Sequence, residues 1–166
     1  RIPIHRRHCN TLRYHFRLEW RGKMYHTVSM SDCLFCKIID GEIPSTKVYE
    51  DDEVLAFLDI NPVNPGHTLV IPKEHFETIY EIPEKILSLV TVQVKNLSEV
   101  VKLALKADGI NIMMNNERAA GQLIPHAHFH IIPRFSADGF THWKGKRKVS
   151  PTEMSEIAEK IKSYLK

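Results

Sequence analysis

The sequence lacks the features of disulfide-rich, membrane-spanning and repeat proteins, which leaves the class of ordinary globular domains. Three cysteines are too few for the disulfide framework of a small secreted protein, and no apolar run is long enough to span a membrane. It contains no internal repeat and no low-complexity segment. Its 166 residues, 43% hydrophobic and 26% charged, are typical of one compact domain with a sizeable core.

Most of the chain also lacks excess positive charge. The net charge of +3 arises in residues 1–29, which carry seven basic side chains and one acidic side chain. The other 16 basic and 19 acidic residues give a net charge of −3. This balance provides no electrostatic basis for nucleic-acid binding, and we expect neither a nucleic-acid nor a membrane partner.

Residues 1–29 differ from the remainder, since they are rich in arginine and histidine and show no sustained period. Clear patterning begins at Met30. We therefore predict an extra N-terminal segment over 1–29, consisting of upstream residues or an Arg-rich targeting peptide, and one domain over 30–166. An ordered hairpin from Leu12 to Tyr25 is a third alternative.

The patterning after Met30 predicts an α+β domain on an antiparallel sheet. Apolar periodicity, turn residues and helix caps indicate helices over 33–39 and 83–107 and strands over 47–50, 54–59, 67–71 and 110–114. Ser150-Pro151-Thr152-Glu153 is a capping box that begins a C-terminal helix.

Residues 126–134, HAHFHIIPR, alternate histidine with apolar residues. Strict alternation predicts a β-strand with His126, His128 and His130 on one face, roughly 7 Å apart. Three histidines at this spacing can surround one ligand. Two interpretations remain open, a His₃ zinc site of the hydrolytic kind and a phosphate-handling site with one nucleophilic histidine.

The loop before this strand favours phosphate. Asn115 and Gln122 supply amide donors, and Gly121 exposes main-chain N–H groups where a phosphate can bind. The loop is not a Walker loop, because no Gly-Lys-Ser/Thr follows the glycine.

Other polar residues allow two interpretations each. Cys33-x-x-Cys36 is half of a tetrahedral zinc site or a pair of buried thiols, and cysteine usage as a whole predicts a reducing, cytoplasmic setting. His67 and His75 are either ligands or ordinary surface histidines. Asp59 follows an apolar strand, where it can bind sugar hydroxyls or form a turn.

These motifs resemble the histidine triad (HIT) superfamily of nucleotide hydrolases and transferases. The stretch HAHFHII matches the family signature, and residues 57–62, 66–75 and 115–122 resemble family loops. The resemblance covers about 31–134. It implies a five-stranded antiparallel sheet with two main helices, and a homodimer in which two such sheets form one continuous sheet.

The resemblance also implies a mechanism. His128 corresponds to the histidine that attacks the α-phosphate and forms a nucleotidyl-histidine intermediate, which water hydrolyses. His130 and His67 correspond to groups that orient and stabilise the phosphate, with Asn115 and Gln122 nearby. Asp59 corresponds to the ribose-binding carboxylate. The apolar slot for the base corresponds to Leu34, Phe35, Ile38, Phe57 and Ile60.

By the same resemblance, bacterial-type members hold a structural zinc ion through a CxxC pair, the histidine of Pro-Lys-x-His and the first triad histidine. These ligands correspond to Cys33, Cys36, His75 and His126, and no organic cofactor is implied. Glutamine occupies the third triad position in the uridylyltransferase branch, so His130 favours a hydrolase.

One position departs from the family pattern. Leu123 stands where many nucleoside phosphoramidases have serine or threonine. We expect a purine nucleotide hydrolase acting on AMP-phosphoramidates or aminoacyl-adenylates. The alternatives are a diadenosine polyphosphate hydrolase and a nucleotide-binding adaptor with little turnover. A His₃ zinc hydrolase unrelated to the family is disfavoured by the amide loop and the second ligand set.

Overall fold

The computed structural model describes residues 32–141, 145 and 148–165. The predicted segment 1–29 lies outside these residues. The chain divides into two compact units, the first ending at Ser136 and the second beginning at Ala137. None of the helices within the described ranges combines the length and the apolar character that crossing a membrane requires.

The first unit is built on a five-stranded antiparallel sheet with strand order β1-β2-β3-β5-β4. The predicted α+β class is confirmed. In chain order the helices and strands are α1 (Leu34–Ile39), β1 (Lys47–Glu50), β2 (Val54–Leu58), β3 (Thr68–Pro72), α2 (Glu84–Leu105), β4 (Gly109–Met114) and β5 (Phe129–Arg134).

Alternate residues of β2 and β3 point to opposite faces of the sheet, and both faces are covered at its centre. One face packs against α1 through a cluster that includes Leu55, Phe57, Leu69 and Ile71 with Phe35 and Ile38. The other packs against α2 through Val54, Ala56, Val70 and Ile131 with Val90 and Val94. This double burial explains why β2 and β3 are continuous apolar runs in the sequence.

Helix α1 has only six residues and no side-chain cap at Cys33. A helix this short is not stable by itself, so its conformation depends on packing. Phe35, Cys36 and Ile38 supply that packing because they are buried. Helix α1 therefore holds its residues firmly against one face of the sheet.

The predicted strand over 126–134 is wrong at its start, since β5 begins at Phe129. The main-chain N–H of Ala127 donates to the Phe76 carbonyl at 2.6 Å, outside the sheet ladder. Of the three histidines only His130 lies in the strand, opposite Leu69 on the face that packs against α1. The alternating pattern begins before the strand does, so periodicity alone does not mark where β5 starts.

The second unit contains helix α3 (Pro151–Lys162). The N-cap hydrogen bond of the predicted capping box is present at its start, where the Ser150 hydroxyl accepts from the Glu153 main-chain N–H at 3.2 Å. Met154, Ile157 and Ile161 are exposed on this helix.

Candidate active site and metal site

Four potential metal ligands meet at the start of α1, and they are Cys33, Cys36, His75 and His126. The sulfur atoms of Cys33 and Cys36 lie 3.5 and 3.7 Å from His126 Nδ1. The Cys36 sulfur lies 3.3 Å from His75 Nδ1. Sulfur and nitrogen ligands of a tetrahedral zinc ion are about 3.5 Å apart, given bonds of about 2.3 and 2.0 Å. The four residues therefore fit a tetrahedral metal.

The protonation of this cluster suits a metal as well. The Nε2–H group of His126 donates to the Pro72 carbonyl at 2.9 Å, so Nδ1 presents its lone pair to the two sulfurs. Hydrogen bonding with Cys36, followed by that with His126 and His75, lowers the pKa of the Cys33 thiol despite its burial. A thiolate and a neutral imidazole are the forms that ligate zinc.

His128 lies next to this cluster but is bound differently. Its Nδ1 is 2.6 Å from the main-chain carbonyl of His126, which can only accept, so Nδ1 carries the proton. Its Nε2 therefore has a free lone pair. Burial is the main cause that lowers the pKa of His128, which keeps the ring neutral near pH 7. A buried, neutral imidazole with Nε2 unprotonated has the form of a nucleophile.

His67 and His130 form a hydrogen-bonded pair beside His128. The main-chain N–H of Val63 lies 3.3 Å from His67 Nδ1, so that nitrogen accepts and the proton is on Nε2. His67 Nε2 donates to His130 Nδ1 at 2.9 Å. His130 consequently carries its proton on Nε2. Burial lowers the pKa of His67, against the attraction of Asp59, whose Oδ2 lies 3.5 Å from Nδ1.

The Nε2–H group of His130 is buried and has no hydrogen-bond partner among the described residues. Burial, followed by the neighbouring His128 and His67, lowers the pKa of His130 to about 4. The ring centroids of His130 and His128 are 4.9 Å apart. An unpaired donor thus lies beside His128, an arrangement that suits stabilisation of an anionic oxygen.

Asp59, His67 and His130 are also close enough to be considered as metal ligands. In this group, however, the lone pair of His130 Nδ1 points at the His67 proton. A metal would have to replace that proton and break the pair. The group is therefore better described as a hydrogen-bonded pair, His67 and His130, with the Asp59 carboxylate beside it, and the three residues are called the relay below.

The loop between β4 and β5 brings the predicted phosphate residues together. Asn115 Nδ2 lies 3.6 Å from the position that a Cβ on Gly121 would occupy. Gln122 is buried and braces the loop, because its amide nitrogen donates to the carbonyls of Glu77 and Ile124 at 2.6 and 3.1 Å. Its amide oxygen accepts from the Glu117 main-chain N–H at 2.7 Å. A direct contact of Gln122 with phosphate stays a prediction.

The same loop contains a strained residue. Glu117 has φ 68° and ψ 160°, a conformation that glycine adopts far more readily than residues with a Cβ. The Glu117 main-chain N–H donates to the Gln122 side chain, and the Glu117 carbonyl accepts from the main-chain N–H groups of Ala120 and Gln122. These bonds hold the strained backbone in place within the loop between β4 and β5.

The predicted nucleoside residues lie near the relay. Asp59 Oδ1 accepts from the main-chain N–H of Asn61 at 2.8 Å, so it forms a turn, and ribose binding stays a prediction. Among the predicted base-slot residues, Phe35, Ile38 and Phe57 are buried in one cluster. The other two, Leu34 and Ile60, are 37% and 88% exposed.

Sequence patterns did not identify two main-chain groups that shape the site. The Val63 main-chain N–H sets the protonation of His67, and the Pro72 carbonyl sets that of His126. Such main-chain groups leave no side-chain signal. Phe35, predicted as part of the base slot, also packs edge-on against His126 and His128, with centroid distances of 5.9 and 5.3 Å. Leu123, at the position of the family hydroxyl, is 85% exposed.

Comparison with known proteins identifies the class to which this fold and site belong. The family model of the HIT domain matches residues 40–137 of this chain, and the chain therefore belongs to the HIT family. It is 52% identical to an uncharacterised HIT-like protein of Methanocaldococcus jannaschii over 130 residues, covering 78% of this chain and 98% of the relative.

Two similar relatives have named activities. An Arabidopsis thaliana protein named adenylylsulfatase is 44% identical over 147 residues, covering 87% of this chain and 75% of the relative. A Schizosaccharomyces pombe protein named adenosine 5'-monophosphoramidase is 38% identical over 135 residues, covering 81% and 98%.

Solved structures agree with the family assignment. A HIT family member from Bacillus subtilis superimposes with a TM-score of 0.75 at 41% identity, covering 81% of this chain and 98% of that one. A zinc-bound histidine triad protein from Mycobacterium smegmatis gives a TM-score of 0.65 at 31% identity, covering 82% and 100%.

Proposed function

We propose that this protein is a nucleotide hydrolase that cleaves at the α-phosphate of AMP-phosphoramidates or related adenylylated substrates and releases AMP. The observation that carries the proposal is the pairing of an unprotonated His128 Nε2 with the unpaired His130 Nε2–H beside it. A nucleophile and an anion-stabilising donor are the two groups that phosphoryl substitution requires. The activities named for the Arabidopsis and Schizosaccharomyces relatives support the same class of chemistry.

In the first step His128 Nε2 attacks the α-phosphorus. A P–N bond to His128 forms, the bond to the leaving group breaks, and the leaving atom keeps the electron pair and takes up a proton from solvent water. The Nδ1–H bond to the His126 carbonyl stabilises the positive charge that develops on the imidazole. His130 Nε2–H donates to a phosphoryl oxygen as negative charge increases there.

In the second step water attacks the nucleotidyl-histidine. A bond from the water oxygen to phosphorus forms, the P–N bond breaks and its electron pair returns to Nε2. The attacking water gives up its proton to solvent, and AMP is released. The relay keeps the His130 donor aimed at the phosphoryl oxygen throughout, because Val63 fixes His67 and His67 fixes His130. We further propose that Asp59 binds the ribose and that Leu34 and Ile60 form the exposed walls of the base slot.

The metal that Cys33, Cys36, His75 and His126 would hold is proposed to be zinc with a structural role. These residues use all four tetrahedral positions, which leaves none open for substrate. Free thiols retained as ligands favour a reducing compartment, and we propose a cytoplasmic location.

Mass spectrometry of the peptide containing His128 tests the proposed function. The protein is incubated briefly with adenosine 5'-monophosphoramidate and quenched without acid, since phosphoramidates are acid-labile. We expect adenylylated His128 in the wild type and no adduct in His128→Ala. AMP formation at the wild-type rate by His128→Ala would refute the covalent mechanism. Tight AMP binding without turnover by the wild type would favour the nucleotide-binding adaptor.

Parallel assays with adenylylsulfate and diadenosine polyphosphates identify the leaving group. Leu123 has no hydroxyl group that could contact the leaving group. We therefore expect the order of kcat/KM among these substrates to follow the chemistry of the leaving group itself. A preference for diadenosine polyphosphates by tenfold or more in kcat/KM would replace the phosphoramidase assignment with the alternative hydrolase.

We also propose a homodimer in which the sheet continues from one protomer to its partner. Strand β4 is at the edge of the sheet, and Ile112 and Met113 on it are exposed. Helix α2 adds the exposed apolar residues Val92, Val100 and Leu103. An open edge next to apolar surface is typical of a pairing site. Light scattering should give twice the mass of the chain, and Met113→Lys should shift it toward the monomer.

A further inference from the structure

Strand pairing does not fix the position of His128, the proposed nucleophile. Strand β5 begins at Phe129, and the first residue pair that joins β5 to β3 is Phe129 with Val70. His128 therefore lies just outside the ladder. Its ring must be held by contacts other than strand pairing.

The first of these contacts is the hydrogen bond from His128 Nδ1 to the main-chain carbonyl of His126, at 2.6 Å. His126 is itself fixed through both ring nitrogens, by the Pro72 carbonyl on one side and by the two thiol sulfurs on the other. The carbonyl that sets the protonated nitrogen of His128 thus belongs to a metal-ligand residue.

The second contact is the ring of Phe35. It lies on α1 between the two cysteines and is 4% exposed. Its ring meets that of His128 nearly at right angles, with centroids 5.3 Å apart and an interplanar angle of 87°. It meets the His126 ring at 5.9 Å and 66°. Both are favourable edge-to-face geometries.

We propose that Phe35 is a positioning residue that couples the Cys₂His₂ metal site to the His128 nucleophile, and this proposal depends on the proposed function. The four ligands fix α1 and His126 when they hold a metal. Phe35 and the His126 carbonyl then fix the His128 ring in the orientation and tautomer that attack requires. The metal site acts on catalysis without contacting the substrate.

The proposal differs from the base-slot role of Phe35 in what a substitution changes. Phe35→Leu keeps most of the apolar volume and removes the ring edge. Loss of a base contact raises KM, whereas loss of nucleophile positioning lowers kcat. We expect kcat to fall about tenfold, the size typical of one aromatic pair, with KM changed less than twofold.

The decisive readout does not depend on turnover. Nitrogen-15 NMR of the histidine rings at pH 7.5 distinguishes the Nδ1–H tautomer from the Nε2–H tautomer. We expect His128 to be a pure Nδ1–H tautomer in the zinc-loaded wild type and a mixture in zinc-loaded Phe35→Leu. Zinc content is measured by mass spectrometry for each sample. The matched control is Leu55→Val, which removes volume from the same buried cluster but no aromatic ring.

The wild type with its metal chelated supplies the second test and needs no variant to fold. The His128 tautomer should become mixed on chelation and return when zinc is restored. An unchanged His128 tautomer in this experiment overturns the proposal, as does a raised KM with unchanged kcat in Phe35→Leu. A wild type that shows this NMR behaviour but no turnover would contradict the proposed function and leave the coupling established.

Discussion

Two histidine-containing clusters lie side by side in this protein, and they use the same side chain for different purposes. In the metal cluster, His126 presents Nδ1 to two sulfurs because its Nε2–H group is bound to a main-chain carbonyl. In the relay, His67 presents Nε2–H to His130 because its Nδ1 accepts from a main-chain N–H. The residue type alone does not distinguish a metal ligand from a proton donor. What distinguishes the two roles is the main-chain group that binds the other ring nitrogen.

The largest effect is expected from removing His128, which lies between the two clusters. His128→Ala should lower kcat/KM by about ten-thousandfold or more, since it removes the nucleophile itself. AMP affinity, measured by calorimetry, should change only a few-fold, because the binding residues remain. Turnover near the wild-type level would show that another group attacks phosphorus.

Cys36→Ser should break the metal cluster and act mainly on stability. We expect bound zinc to fall from one ion per chain to near zero, and the free energy of unfolding to fall by about 3–5 kcal/mol, because buried polar ligands lose their partner. Urea denaturation and metal analysis measure both quantities. The matched relay variant, His130→Phe, should keep its zinc. Equal zinc loss in both variants would contradict the separation of the clusters.

His130→Phe should break the relay and act mainly on rate. It keeps an aromatic ring and removes the buried Nε2–H donor, so kcat should fall about 100- to 1000-fold, as for other lost oxyanion donors. Steady-state kinetics with the preferred substrate measures the effect. If only KM changed, His130 would contribute to substrate binding and not to transition-state stabilisation.

The pH dependence of stability should also separate the two clusters. The pKa of His130 is lowered from 6.5 to about 4, so between these values the unfolded chain binds a proton that the folded chain does not. The relay's contribution is complete above about pH 6.5 and is lost as the pH falls toward 4. Urea denaturation at pH 7.5 and 5 should show a smaller acid loss in His130→Phe, since both proteins keep the metal ligands. An equal loss would contradict the lowered pKa.

The smallest effect is expected in the loop that adjoins the relay. Glu117→Gly should raise the free energy of unfolding by about 1 kcal/mol, because glycine adopts the positive φ without strain, less its greater entropy loss. Thermal denaturation measures the change. A lower stability would mean that the Glu117 side chain makes contacts that outweigh the backbone strain.

Much of this arrangement was predictable from local pattern. Local patterns indicated strands over 54–59 and 67–71, each within one residue of the observed β2 and β3, and the capping box indicated α3, because these signals depend only on neighbouring residues. The strand over 126–134 was placed too early, since periodicity does not report where hydrogen bonding to β3 begins. The predicted gathering of Cys33, Cys36, His75 and His126 came from family resemblance, because residues 90 positions apart carry no spacing signal.

The sequence by itself determined the residue types available for chemistry, the α+β architecture and membership of the HIT family. Each depends on patterns that are preserved along the chain. Only the tertiary structure decided which ring nitrogen carries a proton in His67, His126 and His128. Val63, Pro72 and the His126 carbonyl make that choice through main-chain groups, and the fold alone brings those groups to the rings.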